Sequence, residues 1–291
     1  IEKFRKMYET MDFYVLYNRF LKKEGYQTLP RRPLEKRKLR YEDVYPVLYL
    51  KYRLSRQAER SNIKHLVIDE MQDYSRLQYL IIRRMFSCKM TILGDRAQTM
   101  ADQQQDVLQF LPGIFGKDLR RIEMRKSYRN TVEIASYAAN LIGVTDLELF
   151  ERHGMPVLER DVSDLEAALR EAVDTLFPDE KTYETAAVIV PDEKTAERAY
   201  LILREILAEK DFDCGKRLSW LNRDSSSFKK GLTVTTFYLA KGLEFDEVIV
   251  PFVTDKDYRT EIDRSMLYVA CTRAMHKLYI SASGNISTFL S

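Results

Sequence analysis

At 291 residues the chain has room for two domains, and 45% hydrophobic against 31% charged residues supplies two cores and a wettable surface, which excludes disorder and a fibrous repeat. A net charge of +3 is too small to argue for a polyanionic partner by itself, so the placement of the charges matters more than their total. The strongest apolar run, Val248 to Val253, falls far short of the roughly 20 residues of a membrane span, and the opening Ile1-Glu2-Lys3-Phe4-Arg5-Lys6 has no export pattern, so the reading is cytoplasmic, with no membrane partner. A chain that opens on Ile rather than Met also reads as part of a longer protein. Cys88, Cys214 and Cys271, like His65, His153 and His276, are scattered without ligand-like spacing, which argues against a metal cluster and for inert thiols.

In chain order, Phe4, Met7, Tyr8 and Met11 recur at helical spacing, and Tyr41-Glu42-Asp43 opens a second helix that runs to Leu54. The breaker Leu29-Pro30-Arg31-Arg32-Pro33 separates them, and basic residues crowd there and again at Arg120, Arg121, Arg125, Lys126 and Arg129. A strand His65 to Ile68, a helix near Arg76 to Phe86 and a strand Met90 to Leu93 make the parallel α/β sequence of elements. Gly and Pro cluster at Leu111 to Gly116, where a boundary is expected, and a strand is predicted at Leu119 to Met124. A helix from Thr131 to Ile142, a buried strand Ala186 to Val190 and a helix Thr195 to Ala208 come next. The last elements are strands Leu232 to Thr236 and Val248 to Val250, a helix Ile262 to Thr272 and a strand Lys277 to Ser281. The fold class is therefore α/β, with parallel sheets covered by helices in both halves, residues 1–116 and 117–291.

The richest chemistry sits at Asp69-Glu70-Met71-Gln72-Asp73, directly after the first strand. At a strand's carboxyl end one acid can hold Mg2+ while its neighbour orients a water for attack on a phosphoryl group, although an acidic loop capping the next helix explains the pentapeptide equally well. Gly94-Asp95-Arg96-Ala97-Gln98 again follows a strand, and a glutamine beside a γ-phosphate can position water; taken alone it is a turn signal. Arg129 precedes one helix and Arg273 ends another; the guanidinium fork matches phosphate oxygens, yet each arginine alone reads as a surface ion pair. Between two apolar strands, Thr235-Thr236-Phe237-Tyr238-Leu239-Ala240-Lys241-Gly242-Leu243-Glu244 forms a hairpin-like Lys-Gly loop, in which Gly242 permits close backbone approach and the Thr235 and Thr236 hydroxyls are placed to meet phosphates.

Together and in this order, these segments resemble the UvrD/Rep class of superfamily-one helicases. Asp69 to Asp73 is similar to motif II, Gly94 to Gln98 to motif III, Ser127-Tyr128-Arg129 to motif IV, Lys241 to Phe245 to motif V, and Tyr268-Val269-Ala270-Cys271-Thr272-Arg273-Ala274 to motif VI. The resemblance implies two RecA-like lobes, the first incomplete, with ATP and Mg2+ at their junction. It also implies a role for each matched residue: Asp69 on the metal, Glu70 activating water, Gln98 sensing the γ-phosphate, Arg129 and Arg273 reaching it, Tyr128 stacking on the base and Glu244 meeting the ribose. Nucleic acid, with single-stranded DNA foremost, is the implied partner.

Four departures qualify the match. Gly116-Lys117 runs on to Asp118 and Gly215-Lys216 to Arg217, so no Gly-Lys-Ser/Thr loop is present and the chain alone is expected to lack ATPase activity. Ala101 stands where a base-stacking tyrosine is expected, and Tyr238 takes the usual histidine position of motif V, which alters the single-strand contacts. The segment ahead of motif V is too short for a large inserted subdomain, a compactness that resembles the HelD branch, whose members associate with RNA polymerase. Two rival readings are a nuclease, from Pro178-Asp179 with Asp192-Glu193-Lys194, set against a simple helix start at Asp192, and a motor fold kept as a non-enzymatic docking module.

Overall fold

A computed structural model describes residues 12–54, 60, 62–99, 106–116, 119–145, 148–176, 184–210, 213–225, 230–254 and 258–282. The expected helix face of Phe4 to Met11, together with Ala101 and Pro178-Asp179, lies outside these residues. The chain divides into two compact units, Ile1–Arg96 with Gln103–Arg121 and Ala97–Asp102 with Ile122–Ser291.

In the first unit, helix α1 (Phe13–Lys23) starts where Asp12 Oδ1 accepts the amides of Tyr14 and Val15 at 3.1 and 3.3 Å, satisfying donors that the first turn leaves unpaired. Its buried Tyr14, Tyr17 and Leu21 pack with Leu29 and with Val47 and Leu50 of helix α2 (Tyr41–Leu54). The Tyr17 hydroxyl donates to buried Asp43 at 2.9 Å, and burial together with that carboxylate pushes the phenol up to about 12. The Pro-rich breaker is tied down: Asn18 holds both the N–H and the C=O of Leu29, and the Tyr14 hydroxyl donates to Pro30 O at 2.7 Å. Strands β1 (His65–Ile68) and β2 (Lys89–Ile92) pair in parallel, Ile68 opposite Ile92. Between them runs α3 (Arg76–Met85), begun by a reciprocal Ser75–Gln78 cap, and α4 (Val107–Phe115) completes a core of Ile68, Tyr79, Val107 and Leu111.

The second unit is built on a parallel sheet of order β5-β10-β9-β6-β8-β7, flanked in sequence by a separate two-stranded pair, β3 (Lys126–Ser127) and β4 (Glu148–Leu149). The strands of the large sheet are β5 (Leu158–Asp161), β6 (Thr185–Val190), β7 (Leu218–Trp220), β8 (Gly231–Thr236), β9 (Phe245–Val250) and β10 (Ala274–Ala282). Buried on both faces, β6 divides its side chains by the two-residue strand period. Ala187 and Ile189 pack with Ile134 and Ala138 of α5 (Val132–Leu141) and with Leu267 and Ala270 of α10 (Glu261–Arg273). Ala186, Val188 and Val190 pack with Leu169 and Val173 of α6 (Leu165–Leu176) and with Leu203 and Ile206 of α7 (Glu193–Ala208), and the single-turn α8 (Cys214–Arg217) leads into β7.

Two expectations change here, and one helix is added. Leu119 to Met124 is not a strand: Ile122 is 86% exposed, and the pairing falls on the two residues of β3 because only they meet a neighbouring strand. The Lys-Gly loop is not hairpin-like, because β8 and β9 are parallel and β6 lies between them, so residues 237–244 form a crossover containing the single-turn helix α9 (Phe237–Ala240). The acidic stretch after Asp161 conceals α6, whose buried Leu165, Ala168, Leu169, Ala172 and Val173 follow helical spacing while its charges face outward. Asp192 accepts from the Thr195 amide at 2.9 Å and starts α7, the helix-cap role that the nuclease reading competed with.

Candidate functional site

In the first unit the acids stand on the turn that leaves β1. Asp69 is exposed and Glu70 half-buried, and Glu70 has φ 52° and ψ 52°, a left-handed backbone that a non-glycine residue adopts at a cost of about 1–2 kcal/mol. The turn is closed by hydrogen bonds from Met71 N to Leu93 O and from Leu93 N to Ile68 O, both 2.8 Å, which join it to the residues after β2. Gly94 is required there, since a Cβ would lie 2.5 Å from Gln72 Oε1 and 2.6 Å from Met71 N. Gln98 ends the 3₁₀ turn Arg96–Gln98, and Arg96 pairs with Asp106 at 2.8 Å.

The arginine of motif VI, Arg273, is the last residue of α10 and only 2% exposed. A guanidinium so deep in a protein is tolerable only when its donors are met. Nε donates to Val269 O at 3.2 Å, a carbonyl that also accepts the Thr272 hydroxyl at 2.9 Å, and Nη1 to Leu243 O at 3.1 Å. Nη2 donates to Thr272 Oγ1 at 3.2 Å and to Gln98 Oε1 at 3.3 Å, Gln98 being part of a short segment grouped with this unit. Gly242, at φ +82°, turns the chain just before Leu243, so the loop of motif V supplies a carbonyl to the arginine of motif VI.

Arg129 and Glu244 are brought together as an ion pair at 2.6 Å, both about two-fifths exposed, so each keeps hydrogen-bonding capacity open to solvent beside this partner. Tyr128 is 59% exposed and leans against Phe150 with ring centroids 5.6 Å apart, while the Lys126 ammonium lies 5.4 Å from the Tyr128 centroid. Thr235 is fully buried and its hydroxyl donates to Leu221 O at 3.2 Å. Thr236 caps α9 by accepting from Leu239 N at 3.4 Å, so both hydroxyls have internal roles, whereas Tyr238 is exposed.

Two residues with positioning roles escaped the sequence reading. Buried Asn130 donates through Nδ2 to Thr272 O and Ala274 O at 3.2 and 2.6 Å, tying the segment of motif IV to the end of α10. Gln72, quoted in the motif but given no role, bridges two turns as described below. The Asn130 bonds and the Asp95 end of Gln72 join residues distant in the chain and have no local signature, although an Asn directly after Arg129 was a visible polar signal. Burial pushes the Cys271 thiol up to about 12, as suits an inert packed side chain.

Among the described residues no group of three or more His, Cys, Asp or Glu side chains could hold a metal ion, and no helix is long and apolar enough to cross a membrane. One or two carboxylates are nevertheless what Mg2+ uses when phosphate oxygens and waters complete its shell, and Asp69 with Glu70 fits that pattern.

The described residues thus combine parallel α/β units with a turn bearing two acids after one strand and a buried arginine at the end of a late helix. The UvrD/REP helicase N-terminal domain profile matches residues 2–100 and the UvrD-like helicase C-terminal domain profile matches residues 231–281. The chain belongs to the UvrD/Rep-type superfamily-one helicases, a family of ATP-dependent hydrolases that act on nucleic acid. Among solved structures it is similar to the C-terminal domain of a possible DNA helicase from Lactobacillus plantarum WCFS1, at 28% identity over 57% of this chain and 92% of that one, with a TM-score of 0.45. Arterivirus nonstructural protein 10, a helicase, aligns at 15% identity over 74% and 38% of the two chains with a TM-score of 0.35. S. cerevisiae Dbp5 bound to RNA and ADP BeF3 aligns at 14% identity over 95% and 70%, with a TM-score of 0.48. No curated protein sequence matches the chain.

Proposed function

We propose that the chain is the C-terminal part of an ATP-driven translocase on single-stranded DNA, with residues 1–116 ending a first RecA-like lobe and 117–291 forming the second. Asp69 holds the Mg2+, which supplies charge neutralisation on the phosphates when bound. Glu70 accepts the proton of the attacking water, Gln98 senses the γ-phosphate, and Arg273 and Arg129 carry positive charge to the phosphoryl group. Tyr128 stacks on the base, Glu244 takes the ribose once released from Arg129, and Gly242 keeps the backbone accessible. Tyr238, the exposed member of the motif V trio, carries the nucleic-acid contact by stacking, while Thr235 and Thr236 shape the strand end.

The observation that supports this reading most is the Arg273 guanidinium, buried yet hydrogen-bonded to Gln98, so that the two phosphate-facing residues of motifs III and VI stand in direct contact. In full-length protein, Glu70→Gln is expected to lower ATP turnover by roughly a hundredfold or more while ATP still binds. Turnover at the wild-type level rejects the reading. The chain alone, without a Gly-Lys-Ser/Thr loop, is expected to show negligible ATPase, measured as phosphate release.

A second reading has one observation in its favour. Apart from β4, which pairs with β3, the described residues between α5 and β8 build one sheet and its helices, with no large insertion evident, as in the compact HelD branch. There the ATPase would remodel RNA polymerase rather than unwind DNA, and a pull-down of full-length protein that recovers no polymerase subunit rejects this alternative.

A further inference from the structure

We infer that Gln72 is a positioning residue that fixes the Glu70 carboxylate and couples it to the turn after β2; this rests on the proposed role of Glu70. The Gln72 side chain is 7% exposed, so both ends of its amide need partners. Nε2 donates to Glu70 Oε2 at 2.6 Å, and Oε1 accepts the backbone N–H of Asp95 at 3.1 Å. The amide has one orientation that works: a carboxylate only accepts and a backbone amide only donates, so its nitrogen must face Glu70 and its oxygen Asp95.

The surroundings leave this bridge little freedom. Gly94 approaches so closely that an added Cβ would stand 2.5 Å from Gln72 Oε1. Glu70 holds its left-handed backbone next to a hydrogen bond from its own N–H to Asp69 Oδ1 at 2.8 Å, which joins both acids to the same turn. A strained residue persists only where its neighbours over-determine it, and Gln72 is one such neighbour. A general base has to stand within hydrogen-bond reach of its water, and one charge-assisted bond from a buried amide restricts where the Glu70 oxygen can go. Because the other end of that amide holds the Asp95 N–H, a shift of residues 94–95 is passed to Glu70 through this side chain as well as through the backbone bond from Met71 to Leu93.

Gln72→Glu separates the two ends, since it keeps the shape and the acceptor for Asp95 N–H but replaces the amide donor to Glu70 by a second acid that repels the Glu70 carboxylate or shares a proton with it. In full-length protein we expect it to lower kcat for ATP by roughly tenfold or more, with KM and ADP affinity within about twofold of wild type. Combined with Glu70→Gln, it should add no further loss, because the two residues act as one unit. Should Gln72→Glu misfold, Gln72→Met is read in the same way. Wild-type kcat, a defect confined to KM, or losses that multiply fully with Glu70→Gln would each overturn the inference. Wild-type turnover by Glu70→Gln itself would remove the functional reading as well, which separates the two failures.

Discussion

The two units carry their chemistry in opposite ways. In the first, the acids sit at the end of a two-stranded sheet, partly open to solvent, on a strained turn held by a few polar contacts. In the second, Arg273 is built into the core beneath a six-stranded sheet, its donors satisfied by backbone carbonyls as well as by side chains. An exposed turn can be altered without loss of the fold, so its substitutions should report on chemistry. A buried cation is part of the packing, so its removal should cost both turnover and stability.

The sharpest way to break that contrast is Arg273→Ala in full-length protein, expected to lower ATP turnover by roughly a thousandfold and to depress the melting temperature as well. Normal melting with normal turnover would show that the buried guanidinium contributes to neither. Next in size is Asn130→Ala, which leaves the Thr272 and Ala274 carbonyls without this donor and should destabilise the protein by about 2 kcal/mol, read by urea unfolding.

The smallest effect is on acid stability. The Glu133 carboxyl is held at about 2 by its own backbone N–H first and, against the opposing effect of burial, by the Gly154 amide at 2.9 Å and His153 at 3.0 Å. A carboxylate lowered in the folded state stabilises above its ordinary value of 4.5 and loses that contribution as pH falls toward 2. Glu133→Gln should therefore flatten the fall in stability between those two values and leave its pH dependence above about 5 unchanged; the same slope in both proteins would remove Glu133 as its cause.

Much of the element order was legible beforehand. The strands Ala186 to Val190 and Leu232 to Thr236 and the helix Ile262 to Thr272 recur within one or two residues of the observed ends, because periodicity and cap residues are local signals. The predicted strand at Leu119 to Met124 failed because a strand exists only where a neighbour pairs with it, and no local pattern supplies the neighbour. Helix α6 was missed because two of its five named core positions are alanines, which carry a weak apolar signal amid many charges.

The sequence by itself determined that this is a parallel α/β protein of the UvrD/Rep type, because motif residues and their order are written in the chain whatever its shape. Only the tertiary structure decided that β6 separates β8 from β9, that Thr235 and Thr236 spend their hydroxyls internally, and that Arg129 holds Glu244 while Gln72 holds Glu70. The strand order, the Thr235 bond and the Arg129–Glu244 pair join residues far apart in the chain. Those distant contacts are set by directional hydrogen bonds and by the packing that brings partners within reach, which no window along the sequence contains; the Gln72–Glu70 and Thr236–Leu239 bonds are local, but their geometry follows from turns that the fold holds in place.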